Sequence, residues 1–135
     1  MAKPPVLAEL RWTEGLRFDV TSARITTVVD GDSNAGASPV QMLVIGLAGC
    51  MSADVVDIVR KGRHELSGFR ASIVAVRAQE PPTRVLSAEL RFEIQGNVPS
   101  AVVERAIALS RDKYCSVWHS LRQDILLTTS FDITP

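Results

Sequence analysis

The chain has little cysteine, little histidine, no net charge and no long uncharged apolar run. There are two cysteines and two histidines. Cys115 and His119 stand one helical turn apart, but His64 lies at a distant helix end and no complete ligand set is evident, so no metal is expected. Fifteen basic residues balance fifteen acidic ones and are interspersed, leaving neither a basic patch for nucleic acid nor an acidic tail. The opening MAKPPVLAEL has a lysine without an apolar run after it, so no secretory signal is expected. The uncharged stretch Met42 to Ala53 is too short for a membrane span, and Asp54 and Asp57 follow at once. Two cysteines without a signal point to a reducing compartment, the cytoplasm, where thiols are more often chemical than structural. Repeats, linkers and low-complexity segments are missing too. The 135 residues then read as one domain, 1–135, long enough to bury a core.

What is present is organised around SPVQMLVIGLAGCMSADVVDIVRKG, Ser38 to Gly62. Ser38 suits an N-cap, Pro39 the first helical position, and Gln41 completes a capping box. Arg60 and Lys61 complement the far end of the helix dipole, and Gly62 is expected to take the left-handed C′ conformation. At roughly 1.5 Å per residue the helix would be about 35 Å long. Its bulky side, Val44, Leu47, Ala48, Met51, Val55 and Ile58, fits a sheet. Met42, Gly46, Gly49, Cys50, Ala53 and Asp57 form a smaller-residue side. Each helical glycine costs about 1 kcal/mol against alanine. Close approach of another backbone or a ligand is the usual compensation.

Before this helix, alternation in Leu10–Thr13, Leu16–Val20 and Arg24–Val29 predicts a β-meander, and Asp30 to Ser38 a polar loop. After it, strands are expected at Phe69–Ala78 and Arg84–Ile94, separated by Pro81-Pro82. A helix opening at Pro99-Ser100, a short helix from Ser116 to about Arg122 and a strand from Ile125 to Ile133 complete the chain. The order βββ, long helix, ββ, helix, short helix, β describes an α+β fold: a mostly antiparallel sheet with the long helix packed on it. The small-residue side of that helix suggests a second copy of the chain.

In RDKYCSVWHSL, Cys115 immediately precedes the N-cap candidate Ser116. Amides at the start of the short helix, with Arg111 and Lys113 nearby, are expected to lower its thiol pKa. Cys50 lies three turns inside its helix, with Asp54 and Asp57 as unfavourable neighbours for a thiolate. A buried cysteine more often packs than reacts; two in such settings bring the readings level. Trp12 and Trp118 read as core or interface.

These residues carry a resemblance. SPVQMLVIGLAGCMSADVVDIVRK followed by ERAIALSRDKYCSVWHSL resembles the OsmC/Ohr family, that of osmotically induced protein C and the organic hydroperoxide resistance proteins. The Ser-Pro helix start, the mid-helix Gly-Cys, Asp-Val-Val and Lys-Tyr-Cys-Ser-Val all match in order, and the likeness covers essentially the whole chain. It implies an intertwined homodimer with two central long helices wrapped by sheets from both chains. It also implies a thiol peroxidase. The cysteine matching Cys50 attacks an organic hydroperoxide and becomes a sulfenic acid; the one matching Cys115 condenses with it to a disulfide. An external dithiol such as dihydrolipoamide on a lipoylated protein, or another thiol, restores the enzyme. No metal, haem or flavin cofactor takes part, and no nucleic acid or membrane partner is implied.

The chain departs from the family pattern at one place. The well-studied peroxidases carry a glutamate after the helix-start proline, where it orients an arginine over the thiolate. Here Val40 and then Gln41 follow, as in a branch lacking that glutamate. Arg17 is the candidate arginine, with Arg24 in reserve, and both also read as solvated strand residues. Two functions follow: a hydroperoxide reductase using Cys50, Cys115 and Arg17, or a non-catalytic dimeric module that binds an apolar ligand or senses redox state.

Overall fold

The computed structural model describes residues 2–135. Strands β1 (Glu9–Glu14), β2 (Arg17–Ser22) and β3 (Ile25–Asp30) form an antiparallel sheet in the order β1-β2-β3. Gly15, at φ +55°, makes the first reversal in a conformation that favours glycine. Leu10, Trp12, Leu16 and Ile25 are exposed. The exception to this open character is Asp30, which is buried. Its carboxylate accepts the amides of Asp32 at 2.9 Å, Asn34 at 3.2 Å and Ala35 at 2.9 Å, which shapes the loop leading to the long helix.

That helix, α1, spans Pro39–Lys61. The capping box forms as expected: Ser38 Oγ accepts the Gln41 amide at 3.2 Å, and Gln41 Oε1 accepts the Ser38 amide at 2.8 Å. The helix ends one residue later than the sequence suggests. Arg63, at φ +62°, occupies the left-handed position in place of Gly62, and the amides of Arg63 and His64 close on the carbonyls of Arg60 and Val59. Gly62 instead makes room for the His64 ring, which a Cβ there would meet at 2.9 Å.

The chain divides into two units, Met1–Leu43 and Val44–Pro135. In the second, β4 (Glu65–Arg77), β5 (Val85–Asn97) and β6 (Leu126–Thr134) make a sheet in that order, with β5 central. β4 and β5 are antiparallel, whereas β5 and β6 are parallel. The strands thus belong to two sheets where the sequence suggests one, and one of the pairings is parallel. Along β5, buried Ala88, Leu90, Phe92 and Ile94 alternate with exposed Glu89, Arg91 and Glu93, the period of a sheet with one covered face. The cover is α1. By length and composition α1 could cross a bilayer, but Leu47, Met51, Val55 and Val59 are buried in the same core as the β5 residues.

A parallel neighbour requires a crossover. Here it consists of α2 (Ser100–Leu109), a π-helical turn (Ser110–Tyr114) and α3 (Ser116–His119). The sequence places the first of these helices correctly. It extends α3 too far, to about Arg122, and gives no sign of the π-helical turn.

Candidate thiol site

The second unit holds both cysteines as free thiols. Cys50 sits on the flank of α1, half-buried, and Cys115 sits between the π-helical turn and α3, fully buried. Their sulfurs and a carboxylate oxygen of Asp54 all lie within 4.8 Å of one another. Asp54 follows Cys50 by one helical turn, so the i, i+4 spacing places both on the same flank of α1.

Cys115 is N-cap of α3, and its sulfur accepts the Trp118 amide at 3.3 Å. The expectation of a lowered pKa is nevertheless overturned. Burial pushes the Cys115 thiol up, to about 11, against the opposing pull of the Trp118 and Val117 amides, and the neighbouring Cys50 adds to the rise. A four-residue helix offers too little compensation for complete desolvation of the sulfur.

The π-helical turn before Cys115 ties the site together through Ser110, which is fully buried. The Ser110 carbonyl accepts the Cys115 amide at 2.8 Å, and the Ser110 hydroxyl donates to Asp54 Oδ2 at 2.8 Å. One residue thereby fixes both the backbone carrying the second thiol and the carboxylate facing the pair. Extra-residue turns of this kind are concentrated at functional sites. Sequence reading missed Ser110 and treated Asp54 only as an unfavourable charge. The available signal was the four-residue spacing of Cys50 and Asp54.

Arg17 belongs to the first unit. Its guanidinium pairs with Glu14 at 3.0 Å and with the buried Asp30 at 3.5 Å. Gly46 and Gly49, on the small-residue side of α1, face open space among the described residues, since a Cβ at either would meet nothing within 4 Å. Neither histidine belongs to the group formed by Cys50, Asp54 and Cys115.

Residues 30–130 match the family model described as OsmC-like protein. The chain belongs to the OsmC-like family. Protein YhfA of Escherichia coli (strain K12) is 34% identical over 129 residues, covering 93% of this chain and 96% of YhfA. Among solved structures, a hypothetical protein from Aquifex aeolicus VF5 superposes with a TM-score of 0.90 at 22% identity, covering 98% of each chain. An organic hydroperoxide resistance protein OsmC from Legionella pneumophila gives a TM-score of 0.72 at 14% identity, covering 98% of this chain and 99% of the other. These two likenesses establish the α+β fold of an OsmC-like protein. Family membership together with the adjacent cysteines fits a redox role.

Proposed function

We propose that this OsmC-like protein is a thiol-dependent peroxidase for organic hydroperoxides, with Cys50 as the attacked thiol and Cys115 as its resolving partner. The observation that carries this reading is the proximity of the two free sulfurs, within 4.8 Å. Their burial sets the order of events. An oxidant from solvent reaches the half-buried Cys50 before the sealed Cys115. The sulfenic acid formed on Cys50 then has a thiol at hand, and condensation to a disulfide protects it from further oxidation.

The surface of α1 around Cys50 supports an organic substrate. Gly49 and Ala53 are exposed and offer no charge, so an alkyl chain loses little on binding there. Regeneration falls to an external dithiol, such as a lipoylated protein, or to another thiol. The open face at Gly46 and Gly49 supports action as a homodimer, with a second copy supplying the close approach that helical glycines ordinarily accompany.

The test is thiol counting. Reduced protein given one equivalent of cumene hydroperoxide is expected to lose both thiols and consume the oxidant. Cys50→Ser should consume none, and Cys115→Ser should turn over once and leave a sulfenic acid that dimedone traps. Unchanged thiol content in the wild-type protein rules the peroxidase out.

A further inference from the structure

We propose that Asp54 is the base of this site: it takes the proton from Cys50 and then from Cys115 as each thiol attacks, and Ser110 is the residue that positions it. The inference deepens the peroxidase reading and depends on it only for the identity of the oxidant.

The geometry has three parts. A carboxylate oxygen of Asp54 lies within 4.8 Å of both sulfurs, and the sulfurs lie within the same distance of each other, so the carboxylate is near either S–H. Among the described residues Asp54 forms no ion pair. Its partner is the neutral Ser110 hydroxyl on Oδ2. A carboxylate has about four lone-pair positions, and one hydrogen bond leaves acceptor capacity on a group within 4.8 Å of the thiols. Finally, Ser110 is fully buried and holds the Cys115 amide through its own carbonyl, so carboxylate and second thiol are registered to the same residue.

The chemistry needs such a group. Cys115 is protonated at neutral pH because burial raises its pKa to about 11, and a thiol attacks only as it loses its proton. In the first step the Cys50 sulfur attacks the terminal oxygen of R–O–O–H. The S–O bond forms as O–O breaks, and Asp54 accepts the thiol proton and passes it to the departing alkoxide. The products are Cys50–SOH and an alcohol. In the second, the Cys115 sulfur attacks the Cys50 sulfur. The S–S bond forms as S–O breaks, and the proton taken by Asp54 leaves with hydroxide as water. The site then carries one negative charge, on Asp54, in place of separate thiolate and carboxylate charges that repel one another.

A purely structural Asp54 would only tie α1 to the crossover, and Asn can make the same hydrogen bond from Ser110. Asp54→Asn therefore separates the two roles, and the resolving step can be followed without any peroxide. Reduced protein, kept with a metal chelator, is treated with the aromatic disulfide DTNB at neutral pH. Half-buried Cys50 releases a first thionitrobenzoate, and attack by Cys115 on the mixed disulfide releases a second. Asp54→Asn is expected to slow the second release at least about tenfold, the lower range for loss of a general base being about a hundredfold. Formate should restore part of the rate in Asp54→Ala. Ser110→Ala should slow the same step less, and Ser110→Thr should recover it.

A second release in folded Asp54→Asn at a rate within about twofold of wild type overturns the proposal. Should Asp54→Asn not fold, an unchanged rate in Ser110→Ala overturns it instead. A wild-type protein that completes both releases yet ignores cumene hydroperoxide removes the peroxidase assignment and leaves the role of Asp54 standing.

Discussion

The Trp118 amide points at the sulfur of Cys115 from 3.3 Å and, with the Val117 amide, favours a thiolate there. Burial outweighs it and holds the thiol pKa near 11, above the ordinary value of 9.0. Because the folded protein retains this proton more tightly than the unfolded chain, Cys115 contributes stability that is complete below about pH 9 and disappears as pH rises through its folded pKa.

The stability advantage of the wild type over Cys115→Ala, about 1–2 kcal/mol for truncating a buried side chain, should thus shrink between pH 9 and 11. Urea unfolding midpoints of the two proteins across that window measure it. Iodoacetamide at pH 8 should label Cys50 in the native protein and reach Cys115 only after unfolding.

Asp30 makes the opposite linkage. The amides of Ala35 and Asp32, joined by Asn34 and the Arg17 guanidinium, hold its carboxyl below the ordinary 3.8 in spite of the opposing effect of burial. Its contribution is present above the unfolded value and lost as pH falls through the folded one. Asp30→Asn should be less stable than wild type at neutral pH, and the difference should narrow below pH 3.8. Thermal melts between pH 2 and 7 would record it.

Gly49 distinguishes a free chain from a paired one. In the chain alone a Cβ at Gly49 meets nothing, so Gly49→Ala should stabilise α1 by about 1 kcal/mol through helix propensity. In a homodimer packed on this face, Gly49→Leu should instead lower the sedimentation mass from two chains to one. Equilibrium ultracentrifugation with both variants tests the arrangement.

Much of the fold was legible where the signal was local. The capping box of Ser38 and Gln41 needs four consecutive residues, and the alternation from Ala88 to Ile94 reports its buried face directly. What escaped depends on contacts between distant segments. The division of the strands into two sheets and the parallel placement of β6 beside β5 leave no mark on strand periodicity. The rise in the Cys115 pKa had the wrong expected sign because neighbouring charges and amides can be read from a sequence, whereas burial depends on what packs from elsewhere. The Ser110–Asp54 hydrogen bond joins residues 56 positions apart, and nothing in either local sequence announces it.

The crossover has a consequence for how the site is assembled. Its two ends are moored to one sheet: β5 delivers the chain into α2, and β6 receives it after α3, pairing Leu126 with Ser87 at the opposite end of β5. Cys115 hangs between these moorings, while Cys50 is held on α1. A polypeptide shortened ahead of Leu126 would keep both sulfur atoms but lose the β6 pairing that anchors the far end of the crossover carrying Cys115. Pairing of the thiols thus reports whether β6 has docked.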